Sequence, residues 1–75
     1  MKNYEKFVSV RIKSYQDVQN LYCRILGTEE AVFKLPGGVM YDASRKKDGL
    51  WLVRSDNFRG NMNTDEMVEF LKDQL

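Results

Sequence analysis

The sequence predicts an α+β two-layer sandwich in the order β-α-β-β-β-α, with two helices on one face of a four-stranded, mainly antiparallel sheet. Three observations carry this. Two segments near the first half alternate apolar and polar side chains with the period of a strand, two others repeat apolar side chains at helical spacing, and glycine-bearing turns divide the strands. Two amphipathic helices bury their stripes most economically against one side of a sheet.

The first strand is predicted from about Lys6 to Lys13, where Val8, Val10 and Ile12 point one way and Phe7, Ser9, Arg11 and Lys13 the other. Ser14 then reads as a helix N-cap with Asp17 three residues on, and Val18, Leu21, Tyr22, Ile25 and Leu26 form an apolar stripe that ends at Gly27. Ala31, Phe33 and Leu35 mark a second strand, closed by a tight turn at Pro36-Gly37-Gly38. A third strand covers about Val39 to Ala43, with either Val39/Tyr41/Ala43 or Met40/Asp42 facing outward. The charged stretch Ser44 to Gly49 leads into a fourth strand, Leu50 to Arg54. Residues 55–63 are polar and aperiodic and read as a loop. Asn63 or Thr64 caps a final helix through Leu75, with Asp65 and Glu66 at its positive end and Met67, Phe70, Leu71 and Leu75 as its stripe.

The chain has 75 residues, 43% of them hydrophobic and 31% charged, which predicts a single folded domain over 1–75 with one thin core. There is no histidine and one cysteine, Cys23. The usual general base and commonest metal ligand are therefore missing, and no internal disulfide can form, so the expected setting is a reducing cytosol. No apolar run approaches the roughly 18 residues of a membrane span, and the first residues lack the apolar stretch of a signal peptide. Phosphate-loop and calcium-loop spacings are absent, so neither cofactor nor metal is expected and catalysis is disfavoured.

The informative feature is the sheet face that no helix covers. With Val8/Val10/Ile12, Ala31/Phe33/Leu35 and Leu50/Leu52 turned to the helices, Phe7, Val32, Trp51 and Val53 are expected on the opposite side. An aromatic and aliphatic surface of several hundred Å² is more than a monomer usually leaves open. Arg54, and Phe58 and Arg59 from the 55–63 loop, are the further candidate contacts, because aromatic and arginine side chains anchor protein interfaces. The plain alternatives are that the N-terminal segment or the 55–63 loop caps Phe7 and Trp51, or that two copies pair through the face.

Charge is unevenly spread: residues 1–59 carry net +4 and residues 60–75 net −3, within a total of +1. Arg45-Lys46-Lys47 is the one basic cluster and a candidate basic patch, although such a tripeptide also suits a solvated hairpin tip. Cations interleaved with aromatics on a sheet suggest single-stranded nucleic-acid binding as a second reading, which the near-neutral total disfavours.

The β-α-β-β order, with Ser14-Tyr15 opening the first helix and the stretch Gly38 to Leu52 (GVMYDASRKKDGLWL), resembles the HPr-like phosphocarriers of the sugar phosphotransferase system over about residues 6–52. Tyr41-Asp42-Ala43-Ser44 and Gly49-Leu50-Trp51-Leu52 match that family's strand-end and Gly-hydrophobic-x-Leu motifs. The family's phosphorylated histidine has no counterpart here, one extra residue separates Ala43 from Gly49, and Arg45-Lys46-Lys47 replaces an apolar helical turn. The resemblance thus implies a histidine-free regulatory relative without phosphocarrier activity, with Ser44 loosely matching the family's regulatory serine. Together the readings lead to a non-enzymatic protein-binding or regulatory module, an inhibitor or adaptor of the kind phages and mobile elements encode.

Overall fold

The computed structural model describes residues 7–75. Its elements run β1 (Phe7–Arg11), α1 (Tyr15–Gln19), α2 (Leu21–Ile25), β2 (Glu30–Lys34), a short 3-10 turn (Pro36–Gly38), β3 (Met40–Arg45), β4 (Trp51–Arg54), β5 (Arg59–Met62) and α3 (Thr64–Asp73). The α+β class holds. The four-stranded sheet is corrected to a five-stranded mixed one, in which β1 runs parallel to β2 and every later neighbour is antiparallel. Sheet order is chain order, β1-β2-β3-β4-β5. The expected start of the first strand at Lys6, and an N-terminal cap over Phe7, lie outside the described residues.

Local chemistry explains the element boundaries. The Asp17 carboxylate accepts the N–H groups of Lys13 (2.8 Å) and Ser14 (3.2 Å), fixing the entry to α1. Asn20 divides the expected single helix into α1 and α2 while keeping a right-handed backbone. Asn63 and Glu66 form a complete reciprocal cap on α3, each side-chain oxygen accepting the other's backbone N–H at 2.8 Å. Gly37 and Gly38 take φ of 82° and 81° in the β2–β3 turn, a region that costs glycine nothing.

The fifth strand replaces the expected 55–63 loop. Ser55 N–H donates to the Phe58 carbonyl at 2.9 Å, closing a two-residue turn at Asp56-Asn57, and Arg59–Met62 then pairs with β4. Phe58, Gly60 and Met62 turn inward. The Phe58 ring lies over Gly60, where a Cβ would sit 3.0 Å from the ring.

All three helices pack on one face, with α2 against β1 and α3 against β4, β5 and α1. The core beneath them joins Val10, Ile12, Val18, Leu21, Ile25, Ala31, Phe33, Tyr41, Ala43, Trp51, Val53, Met67 and Leu71. The open parity of the third strand is thereby decided, with Tyr41 and Ala43 inside and Met40 and Asp42 outside. The fourth strand is reversed from its expected orientation: Trp51 and Val53 are fully buried and Leu52 turns outward. Both parities of Leu50-Trp51-Leu52-Val53 are apolar, so periodicity does not choose between them, and the larger burial wins. The buried indole also finds a partner, since Trp51 Nε1 donates to Thr64 Oγ1 at 3.0 Å.

Candidate functional site on the outer sheet face

Strand register lays the outer side chains in rows across the sheet. One row holds Phe7, Glu30, Ser44, Leu52 and Asn61; the next holds Ser9, Val32, Asp42, Arg54 and Arg59; the third holds Arg11, Lys34 and Met40. No described element covers these rows. Phe7 and Met40 are about half exposed, at 52% and 53%, and Val32 and Leu52 are half-buried between polar neighbours.

The face is concave. An open groove of about 590 Å³ is lined by Val32, Met40, Asp42 and Arg54 and walled by Gly38, Ser55 and Asp56. A smaller hollow of about 190 Å³ shares Val32, Asp42 and Arg54 with it and extends to Phe7 and Ser44. Arg54 Nε meets Asp42 Oδ1 at 3.2 Å, with both side chains about half exposed. Such a pair contributes at most about 1 kcal/mol in water and serves mainly to orient the guanidinium.

The other charges on the face are arranged against one another. Arg11 stands opposite Lys34, and Arg54 opposite Arg59. Like charges directly opposed on neighbouring strands destabilise a sheet.

Of the residues expected at this site, the structure brings Phe7, Val32, Arg54 and Arg59 together on the outer face and removes three. Trp51 and Val53 are core residues. Phe58 packs on the helix side, stacked on Phe70 at a centroid distance of 4.8 Å and edge-on to Tyr41 at 6.2 Å. Met40 and Leu52 take the apolar positions that sequence reasoning gave to Trp51 and Val53. Met40 belongs to one of the two outward alternatives that the alternation of the third strand offers, whereas no sequence signal singles out Leu52, because both parities of β4 are apolar.

The basic tripeptide also comes apart. Arg45 shares the inward parity of Tyr41 and Ala43, and its guanidinium carbon sits 4.3 Å from the Trp51 ring centroid. From there it donates to the Thr28 carbonyl at 3.1 Å and the Ile25 carbonyl at 3.4 Å, satisfying the C-terminal end of α2. Lys46 reaches Asn61 Oδ1 at 3.3 Å, and Lys47 stays exposed at the hairpin tip. Arg45 is therefore a structural bolt on the helix side, while Lys46 turns toward β5.

Reactive chemistry is sparse. Cys23 is exposed on α2. Among the described residues, no three of Cys, Asp and Glu gather as a metal cage needs, and no helix is long and apolar enough to cross a membrane. Among the described residues one titratable group is displaced: Tyr22, whose hydroxyl donates to Asp65 Oδ1 at 2.6 Å, is held above the ordinary tyrosine range by that hydrogen bond and by the negative charge beside it. It ties α2 to α3 and lies away from the groove. Ser44 lies on the outer face opposite Leu52.

No family model, curated protein or solved structure matches this chain.

Proposed function

We propose that the protein is a non-enzymatic binding module, an adaptor or inhibitor working in a reducing cytosol, whose partner is another protein docked on the outer sheet face. The supporting observation is the coincidence, on one concave surface that no described element covers, of half-exposed apolar side chains with several cations. Phe7, Val32, Met40 and Leu52 supply desolvated contact area. Arg11, Lys34, Arg54 and Arg59 supply polar anchoring around it.

The nucleic-acid alternative loses its main support once Trp51 is in the core. Phe7 is then the one aromatic on the outer face among the described residues, and a stacking platform needs successive rings.

A photo-crosslinking side chain placed at Met40 tests this reading, with the same group at Leu26, 81% exposed at the end of α2, as the control. Irradiation in cells of the native host is expected to give discrete protein adducts from position 40 and none from position 26. Adducts from position 26 alone, or from neither, would overturn the outer face as the binding surface.

A further inference from the structure

Resting on the outer face as the binding surface, we infer that its occupant is an acidic protein segment, held between two cationic clamps, Arg11 with Lys34 and Arg54 with Arg59. The strands bring these residues to the same end of the sheet. Parallel β1 and β2 finish at Arg11 and Lys34, β4 finishes at Arg54, and antiparallel β3 and β5 begin at Met40 and Arg59. On β3, between the clamps, stand Met40 and Asp42, with Val32 beside them on β2.

Each clamp sets two cations directly across from one another, an arrangement that works against the sheet and that an incoming anion relieves. Among the described residues, Arg54 alone of the four has a carboxylate within ion-pair distance, Asp42. Arg11, Lys34 and Arg59 are exposed. Carboxylates suit them well, because arginine forks match a carboxylate with two parallel hydrogen bonds.

Geometry narrows the ligand further. Strand spacing of about 4.8 Å and the two-residue offset between the rows put the inner cations, Lys34 and Arg54, roughly 12 Å apart across β3, and an extended chain advances about 3.3 Å per residue. Two acidic side chains about three to four residues apart, flanking an apolar one that meets Met40, would reach both inner cations. A continuous phosphate backbone fits less well, since Asp42 and Asp56 line the same groove. Hydroxyl or amide side chains of a peptide can satisfy those two carboxylates, whereas phosphates cannot.

The test uses a fluorescein-labelled synthetic peptide of repeated Glu-Leu-Ala-Glu, its analogue with Gln for every Glu, and a single-stranded thymidine oligonucleotide, followed by fluorescence anisotropy at low and moderate salt. The acidic peptide is expected to bind at least about tenfold more tightly than the Gln analogue, to weaken as salt rises, and to lose about tenfold when Lys34→Glu and Arg59→Glu are combined. Amide shifts of the labelled protein should centre on Arg11, Lys34, Met40 and Arg59. The Met40→Ser change should weaken both peptides alike.

Equal binding of the two peptides, or no binding of either, overturns acidic recognition. If protein crosslinks from position 40 nevertheless persist in the Lys34→Glu/Arg59→Glu variant, the binding face survives and only its acidic specificity fails. Tighter binding of the oligonucleotide replaces the protein segment with nucleic acid. Self-association in sedimentation that the double variant abolishes replaces it with a second copy, whose α3 carries Asp65, Glu66, Glu69 and Asp73.

Discussion

The two faces of the sheet are built to opposite standards. On the helix side Trp51, Phe33, Ile12 and Leu21 are wholly buried, the indole N–H has its hydroxyl, and no buried side-chain nitrogen or oxygen among the described residues lacks a partner. On the outer side a phenylalanine stands half in water and cations oppose cations. A small domain has little stability to spare, so charge repulsion on one face must be offset by packing on the other. The contrast separates residues kept for folding from those kept for something else.

The largest test of that division compares the two aromatics at its poles. Trp51→Ala should cost about 3–5 kcal/mol through the cavity it leaves, enough to unfold much of the population, whereas Phe7→Ala should cost below about 1 kcal/mol. Urea unfolding followed by circular dichroism reads both. Comparable losses would dissolve the distinction between the faces.

Arg45 sharpens the boundary, since it is a surface cation that belongs to the core. Arg45→Ala removes its contacts to the Ile25 and Thr28 carbonyls and its cover over Trp51, and is expected to cost about 1–2 kcal/mol. Lys47→Ala, two residues away at the hairpin tip, should be neutral within about 0.5 kcal/mol. If both changes are silent, the Arg45 bolt carries no weight.

The smallest expected effect has the opposite sign. Lys34→Glu exchanges a like-charge pair with Arg11 for an opposite one and should raise stability by roughly 0.2–1 kcal/mol. Thermal unfolding at low salt is the sensitive measurement, because salt screens exposed charges. A variant that is more stable yet binds less would show that the wild-type cation is retained against folding.

How much of this was legible in the sequence depended on how local each cause was. The start of α3, left open between Asn63 and Thr64, and the alternations of β1 and β2 were readable because their determinants lie within a few residues, and the alternations placed Phe7 and Val32 on the outer face. The orientation of β4 was not, because Leu50 to Val53 is apolar on both sides and only the Thr64 hydroxyl, the Arg45 cover and the core volume choose Trp51 as the buried member. β5 was hidden by composition. Arg-Gly-Asn-Met has poor strand propensity, and it forms because the 56–57 turn sets its register and the Phe58 ring fills the space over Gly60. The inward turn of Arg45 was not legible, since a run of three cations says nothing about which way each side chain points.

The match between sheet order and chain order has a kinetic consequence. From β3 onward every strand pairs with the strand that precedes it through a short turn, so those pairings close small loops and form quickly. β1 is the exception, joined to β2 in parallel across a crossover that must first fold α1 and α2. Among the described residues it is an edge strand with one neighbour, and its pairing closes the longest loop between adjacent strands. Arg11 and Phe7 travel with it, so occupancy of the outer face and protection of the β1 amides from hydrogen exchange are linked quantities.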